Sequence, residues 1–412
     1  MSKLPKEVIR LIKKVSSLSD RLNVRAYLAG GIVRDIILGR DNFDLDIAVE
    51  SDAIDFALKL AEKLGAGLKK HRGFGTASVL SKPYKIDLAT ARKEYYPYPG
   101  SLPEVEPASI EEDLKRRDFT INALALSLNK SSFGEVLDCF EGVEDLKKKV
   151  IRILKNDSFL EDPTRIIRAT RFRERFAFKF SSLTEKALKK AVFLKAFDSV
   201  NPHRLRDEVI LILKEDNPSK QLSALNKTAG LKFLGVKPFN REDMRVLKNI
   251  DRAVMWFKKN FPSKKDVDIW IVYLMAAFRK TNINRLKSII DKFGFRRGEK
   301  IKILNSKEVR IINSLSKENL PSKIYRLLNP LSFETILFFY ALSDNESARK
   351  GIRRFLKEYS EKKLFIRGKD LQERGVKPEN KYGSIMEKIF FKKLDGKIST
   401  KEEEIKELEE YM

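Results

Sequence analysis

The chain has 412 residues, 42% of them hydrophobic, which supports more than one packed core and excludes a disordered polymer. Its 84 Lys and Arg against 58 Asp and Glu leave a net charge of +26, a field suited to a polyanionic partner; a heat-adapted Lys/Glu surface would balance its signs better. A single cysteine, Cys139, excludes disulfides within the chain and fits a reducing cytoplasm, and no apolar stretch approaches a membrane span, so no membrane partner is expected.

Residues 1–22 carry apolar positions at helical spacing, broken by charges, and predict an amphipathic helix without the apolar core of a signal peptide. From Val24 to about Val150, short β-type runs at 26–30 (AYLAG), 44–49 (DLDIAV), 77–80 (ASVL), 84–90 (YKIDLAT) and 135–140 (EVLDCF) mix with helical patterns at 52–65 and 121–128 (INALALSL). This predicts a mixed sheet with helices, in which Cys139 is a small buried filler. Residues 92–107 hold four prolines and no periodicity, so they read as a long loop. Beyond Lys149 the β runs almost vanish, and 163–176, 185–197 and 203–215 space their apolar residues by three and four. Pro202, Pro218, Pro262, Pro321 and Pro330 divide this half into successive helical modules, with a small glycine-containing module at 365–383 and an acidic terminal helix at 401–412. The expected fold class is therefore α+β, a mixed sheet with helices followed by an all-α part.

The most informative stretch runs from Leu28 to Val49. A strand enters, Gly30 and Gly31 open a helix that carries Arg34 and Asp35, Gly39 turns the chain, and a second strand holds Asp44 and Asp46. Glycines at a helix N-terminus let backbone N–H groups approach a phosphate. Carboxylates two residues apart on a strand share one face, where they either repel each other or share cations; oxygen ligands of this kind suit Mg²⁺. Asp87, in the strand-like run 84–90, is a third candidate carboxylate. Ordinary surface acids on a polar edge strand are the competing reading.

Residues 30–49 resemble the signature of the class II tRNA nucleotidyltransferases, the CCA-adding enzymes and their poly(A) polymerase relatives in the polymerase-β-like superfamily. Further stretches resemble the family's motifs in order: 114–125 (LKRRDFTINALA), 138–146 (DCFEGVEDL), 161–172 (EDPTRIIRATRF), 204–208 (RLRDE), and a tail segment from Gly368 with its following glycines. The pair Glu141-Gly142 departs from the two glycines found in many members.

The resemblance implies a polymerase-β-like palm head over 1–140, a neck with a base-reading helix over 141–212, a helical body over 213–345 and a helical tail over 346–412. It implies that Asp44 and Asp46 ligate two Mg²⁺ ions with Asp87 as third carboxylate, promoting in-line attack of an RNA 3′-hydroxyl on a nucleotide. Arg34, with the Gly30 and Gly31 backbone, would meet the triphosphate; a structural pairing of Arg34 with Asp35 or Asp46 is the alternative. Arg117, Asp118 and Asn122 would contact ribose and phosphates, unless Asp118 merely caps a helix over 119–126. Asp162 and Arg165, three apart on one helix, would imitate a Watson–Crick partner for CTP and ATP, the plain alternative being an exposed ion pair. Arg168 and Arg171 would join the nucleotide site, and Arg173 and Arg175 extend this basic stretch toward RNA. The loop after Arg92 would influence which nucleotide is added.

Expected partners are tRNA, gripped at its acceptor and T arms by the basic helical half, together with CTP and ATP, with no obligatory protein partner and a monomer preferred. His71 and His203 are too few for an appended histidine–aspartate phosphohydrolase and read as structural. The leading reading is a template-independent tRNA nucleotidyltransferase that adds CMP, AMP or both to the tRNA 3′ end; CC-only or A-only addition and poly(A) synthesis are alternatives, and an inactive RNA-binding protein is one that the joint retention of Asp44, Asp46, Asp87, Asp162 and Arg165 argues against.

Overall fold

The computed structural model describes residues 4–41, 44–71, 73, 75–373 and 382–411. Asn42 and Phe43 of the first motif and Gly375 of the tail motif lie outside them. The chain forms two compact units, residues 1–212 with 227–233, and residues 213–226 with 234–412.

The first unit begins with the expected amphipathic helix, α1 (Lys6–Arg21), which buries Val8, Leu11, Ile12, Val15 and Leu18. Then follow β1 (Ala26–Ala29), α2 (Gly31–Leu38), β2 (Leu45–Val49), α3 (Ala53–Leu64), β3 (Gly67–His71), β4 (Thr76–Ser81) and β5 (Tyr84–Thr90). Asp52 starts α3 by accepting from the N–H groups of Ile54 and Asp55. After β6 (Arg92–Tyr95), β7 (Glu104–Pro107) and α4 (Ile110–Lys115) come β8 (Ala125–Ser127) and β9 (Val136–Leu137). Seven strands make one mixed sheet in the order β3-β4-β5-β2-β1-β8-β9. The pair β2–β5 is parallel, and the remaining neighbours of that sheet are antiparallel. Tyr27, Ala29, Ala48, Ala123 and Ala125 meet Ile110 and Leu114 of α4 in one core cluster.

Three expectations fail in this unit. Residues 121–128 are not helical: Thr120–Asn122 make one 3-10 turn, and Ala125–Ser127 form β8 against β1. Every residue from Ala123 to Leu128 is buried, so the run packs on both faces and has no helical stripe to betray its type. Residues 92–107 are not one loop, because β6 and β7 pair as a ribbon with Arg92 opposite Pro107 and Tyr95 opposite Glu104. Cys139 is exposed, not a buried filler.

The stretch resembling the third motif anchors α5 (Gly142–Lys148), since Asp138 accepts from the N–H groups of Gly142 at 2.7 Å and Val143 at 2.9 Å. Glu141 adopts the left-handed region, φ 61°, which explains why glycine suits that position. A Cβ on Gly142 would collide with the carbonyl oxygen of Thr120. Then come β10 (Val150–Ile151), α6 (Ser158–Glu161), α7 (Thr164–Phe176), β11 (Lys179–Phe180), α8 (Ser182–Phe193) and α9 (Pro202–Leu213).

The second unit has no strand among its described residues, as the periodicity predicts. The helix Ile269–Ala277 buries every residue from Trp270 to Ala277 and packs on helices Arg241–Asn260 and Phe333–Leu342. Toward the C-terminus Ile366, Leu371, Ile385, Ile389, Ile398 and Leu408 form a separate cluster. The helix Lys401–Glu409 is more than an acidic terminus. Its Glu404 is fully buried, accepting from the N–H groups of Phe365 and Ile366 and from Lys393 at 2.6 Å.

Candidate active site

A cavity of about 830 Å³ opens in the first unit and is lined by residues from the sheet, from α7 and from the strand-to-helix connections. Its lining includes Asp46 and Asp87. The parallel register of β2 and β5 sets them side by side as Cα partners. Leu45, Ile47 and Val49 alternate with Asp46 and are buried, fixing Asp46 on the opposite face. Asp87 accepts from Ser78 Oγ at 2.5 Å and pairs with Lys85 Nζ at 2.7 Å. Asp46 stands along the open wall of the cavity, yet withdrawal from solvent, then the neighbouring charge of Asp87, raises its pKa to about 6. Asp44 precedes β2 and does not line the cavity, although its charge also reaches Asp46. Among the described residues no three His, Cys, Asp or Glu side chains converge as a closed metal cage. The oxygen donors fit Mg²⁺ nonetheless, because that ion is held by one or two carboxylates plus waters and substrate phosphates.

Gly30 precedes α2 at φ 80°, and a Cβ there would collide with the Arg117 guanidinium. Its own N–H is not offered to a phosphate, because it donates to Leu124 O at 2.8 Å; Gly31 lines the cavity. Arg34 is buried and holds both carboxylate oxygens of Asp35 at 2.9 Å, so the pairing alternative describes its contacts. Its guanidinium lies 5.3 and 4.7 Å from the ring centres of Phe172 and Phe176, and it also donates to Asn122.

The 3-10 turn at Thr120–Asn122 brings Asn122 Nδ2 back to Asp118 Oδ1 at 2.9 Å. Asp118 therefore caps no α-helix. Its other oxygen takes Arg168 at 2.7 Å, and Arg168 and Arg171 both approach Glu208. Burial pushes the Asp118 carboxyl up, but Arg168 and the Asn122 hydrogen bond outweigh it and hold it below its ordinary value. Arg117 is held by Asp113 at 2.9 Å, while its Nε is buried without a partner among the described residues. Arg175 lines the cavity, whereas Arg173 pairs with Glu174.

Asp162 and Arg165 are buried, 9% and 6% exposed. They are not on one helix, nor are they an exposed ion pair. Asp162 ends α6 with extended φ and ψ, because Pro163 after it disfavours the helical region, and α7 begins at Thr164. Asp162 Oδ1 accepts from Thr164 N and Oγ1, and Oδ2 takes Arg204 at 2.8 Å. Arg165 donates to Ser158 Oγ at 2.7 Å and to Arg116 O at 2.9 Å, with Tyr96 OH at 3.4 Å. Both side chains still line the cavity.

Tyr96, Glu94, Asp113, Arg116 and Arg204 are cavity residues absent from the sequence-derived site. Glu94 takes Arg116 at 2.7 Å, and Arg204 also donates to the carbonyls of Gly100 and Ser101, tying the tip between β6 and β7 to Asp162. A Cβ on Gly100 would collide with Ser199. The 204–208 motif was the one signal that could have named Arg204. His71 also lines the cavity, but His203 does not.

The fold and cavity define a nucleotidyltransferase head, and residues 26–152 match the family described as the Poly A polymerase head domain. Over 98% of its length the chain is 32% identical to the A-adding tRNA nucleotidyltransferase of Geobacter sulfurreducens, and over 85% it is 37% identical to that of Aquifex aeolicus. It spans about half the length of these relatives, 47% and 44% respectively. The solved structure of the Thermotoga maritima CCA-adding enzyme complexed with tRNA_CCA superposes with a TM-score of 0.74 at 33% identity, covering 99% of this chain and 96% of that one. The chain belongs to the CCA-adding and A-adding tRNA nucleotidyltransferase family.

Proposed function

We propose that this protein adds CMP, AMP or both to the 3′ end of tRNA from CTP and ATP, releasing pyrophosphate, with Mg²⁺ as cofactor. One observation supports the reading: the lining of one cavity includes two register-paired carboxylates, Asp46 and Asp87, and the buried pair Asp162 and Arg165. The same lining carries the guanidinium groups of Arg34, Arg117, Arg168 and Arg171, able to take a triphosphate. Divalent metal held by Asp44, Asp46 and Asp87 supplies activation of the primer 3′-hydroxyl and charge neutralisation at the transferred phosphate. Arg117, with its unpartnered Nε, and Arg34, through Asn122, position phosphate and ribose. Asp162 offers acceptors and Arg165 donors to the edge of a nucleobase. The basic residues of 213–412 hold the acceptor and T arms of tRNA by phosphate contacts. We place the reaction in the cytoplasm; no helix among the described residues is long and apolar enough to cross a membrane.

Incubating the protein with Mg²⁺, labelled CTP or ATP and tRNA that either lacks its last three nucleotides or ends in CC tests the reading, and incorporation of neither nucleotide into either tRNA sinks it. The two A-adding relatives favour a second reading, in which only tRNA already ending in CC is extended, by one AMP. Sequencing the products from both tRNAs decides between them.

A further inference from the structure

Lys85 and Asp87 sit two residues apart on β5 and so share one face of the strand. The Lys85 ammonium lies 2.7 Å from Asp87 Oδ2, while Oδ1 accepts from Ser78, the residue opposite Asp87 on β4. Both oxygens of Asp87 are therefore engaged. Asp46, its register partner on β2, forms no ion pair among the described residues. The two neighbours thus differ: one carboxylate is open to a cation, and the other already holds one supplied by the protein.

Lys85 also lines the cavity, and Asp46 and Asp44 act on its charge in addition to Asp87. Its side chain is 58% exposed on a flexible four-carbon stem, and ion pairs this exposed are weak, so the ammonium can leave Asp87 at small cost. A divalent ion held by Asp46 and Asp87 would compete with it for the Asp87 carboxylate. Once displaced, the ammonium is free to meet the phosphates of a bound nucleotide.

We propose that Lys85 is a resident counter-cation of the carboxylate pair, neutralising Asp87 until a divalent ion takes Oδ2 and then turning to the nucleotide's outer phosphates. This rests on the metal-dependent transfer proposed above.

The test measures Mn²⁺ binding to the full chain without nucleotide, by electron paramagnetic resonance of the free ion, for the wild type, Lys85→Met and Lys85→Arg. Removing a weak competing ion pair should tighten Mn²⁺ binding in Lys85→Met by about two- to fivefold, with Lys85→Arg staying near the wild type. In steady-state addition, Lys85→Met should raise the KM for ATP several-fold. Unchanged or weaker Mn²⁺ binding by Lys85→Met overturns the counter-cation role, and an unchanged KM overturns the turn toward phosphates. Asp46→Ala run alongside keeps the two failures apart. If it binds Mn²⁺ like the wild type, the metal reading itself fails; if it loses Mn²⁺ while Lys85→Met matches the wild type, only the role of Lys85 fails.

Discussion

Two groups of cavity-lining residues, the carboxylates on the sheet and the Asp162–Arg165 pair, are built in opposite ways. In the sheet group, Asp46 is open and Asp87 is held by two side chains on neighbouring positions, so the donors await a cation. In the other group, Asp162 and Arg165 are buried and already bonded to Thr164, Arg204, Ser158 and the Arg116 backbone. The open group stores electrostatic repulsion that an added metal relieves. The bonded group holds its donors and acceptors in fixed directions, and a nucleobase that reads Asp162 must share or exchange the Arg204 contact. On the proposed function, chemistry and selection are separable, and substitutions can tell them apart.

The largest effect should come from Asp46→Ala. Losing metal stabilisation worth several kcal/mol should cut nucleotide addition by about 10³-fold or more, with tRNA binding in gel-shift assays within about twofold. Retained addition would show that the sheet group is not where the reaction occurs. Next in size is Asp118→Ala, which leaves the half-buried Arg168 guanidinium with Glu208 as its remaining acid. A loss of about 3 kcal/mol in urea unfolding is expected; a loss under about 1 kcal/mol would mean that Asp118 and Arg168 are not a rigid frame of the cavity.

In the selecting group, Asp162→Ala should reduce the preference for the correct nucleotide over GTP by about 10- to 100-fold, with transfer itself affected less than by Asp46→Ala. Equal preference in mutant and wild type would remove Asp162 from the reading role. The smallest effect is on pH. Burial raises the Asp113 and Asp118 carboxyls, but the facing arginines outweigh it and leave both below their ordinary value of 3.8. Their stabilisation is complete above 3.8 and is lost as pH falls through the lower folded-state values. Thermal melts between pH 6 and pH 3 should fall at the acid end, and less steeply for Asp113→Asn; parallel curves would rule these carboxylates out as the cause.

On the sheet, alternation sets Asp46 on the face opposite Leu45, Ile47 and Val49, whereas Asp44, expected beside it on the strand, precedes β2 and does not line the cavity. What alternation does not contain is the partner strand and its register, so Asp87 entered as a strand-borne acid without a fixed neighbour. The selecting group was harder. Pro163 marks a break after Asp162, a signal outweighed by the attractive three-residue spacing to Arg165. Tyr96 and Glu94 lie in a ribbon with no core-facing stripe, where prolines mask pairing. The buried strand after Asn122 and the buried Glu404 in an acid-rich helix share a cause: tertiary burial selects them, and no local period records it.

The β2–β5 register has a further consequence. If β2 slipped by one residue against β5, Asp46 would turn to the face now held by Leu45, Ile47 and Val49, and those three side chains would turn outward together. Loss of the carboxylate pair and loss of the core would then be a single event. The packing that stabilises this sheet therefore also guards the carboxylate pair, because a mis-registered molecule would lose its core in the same step.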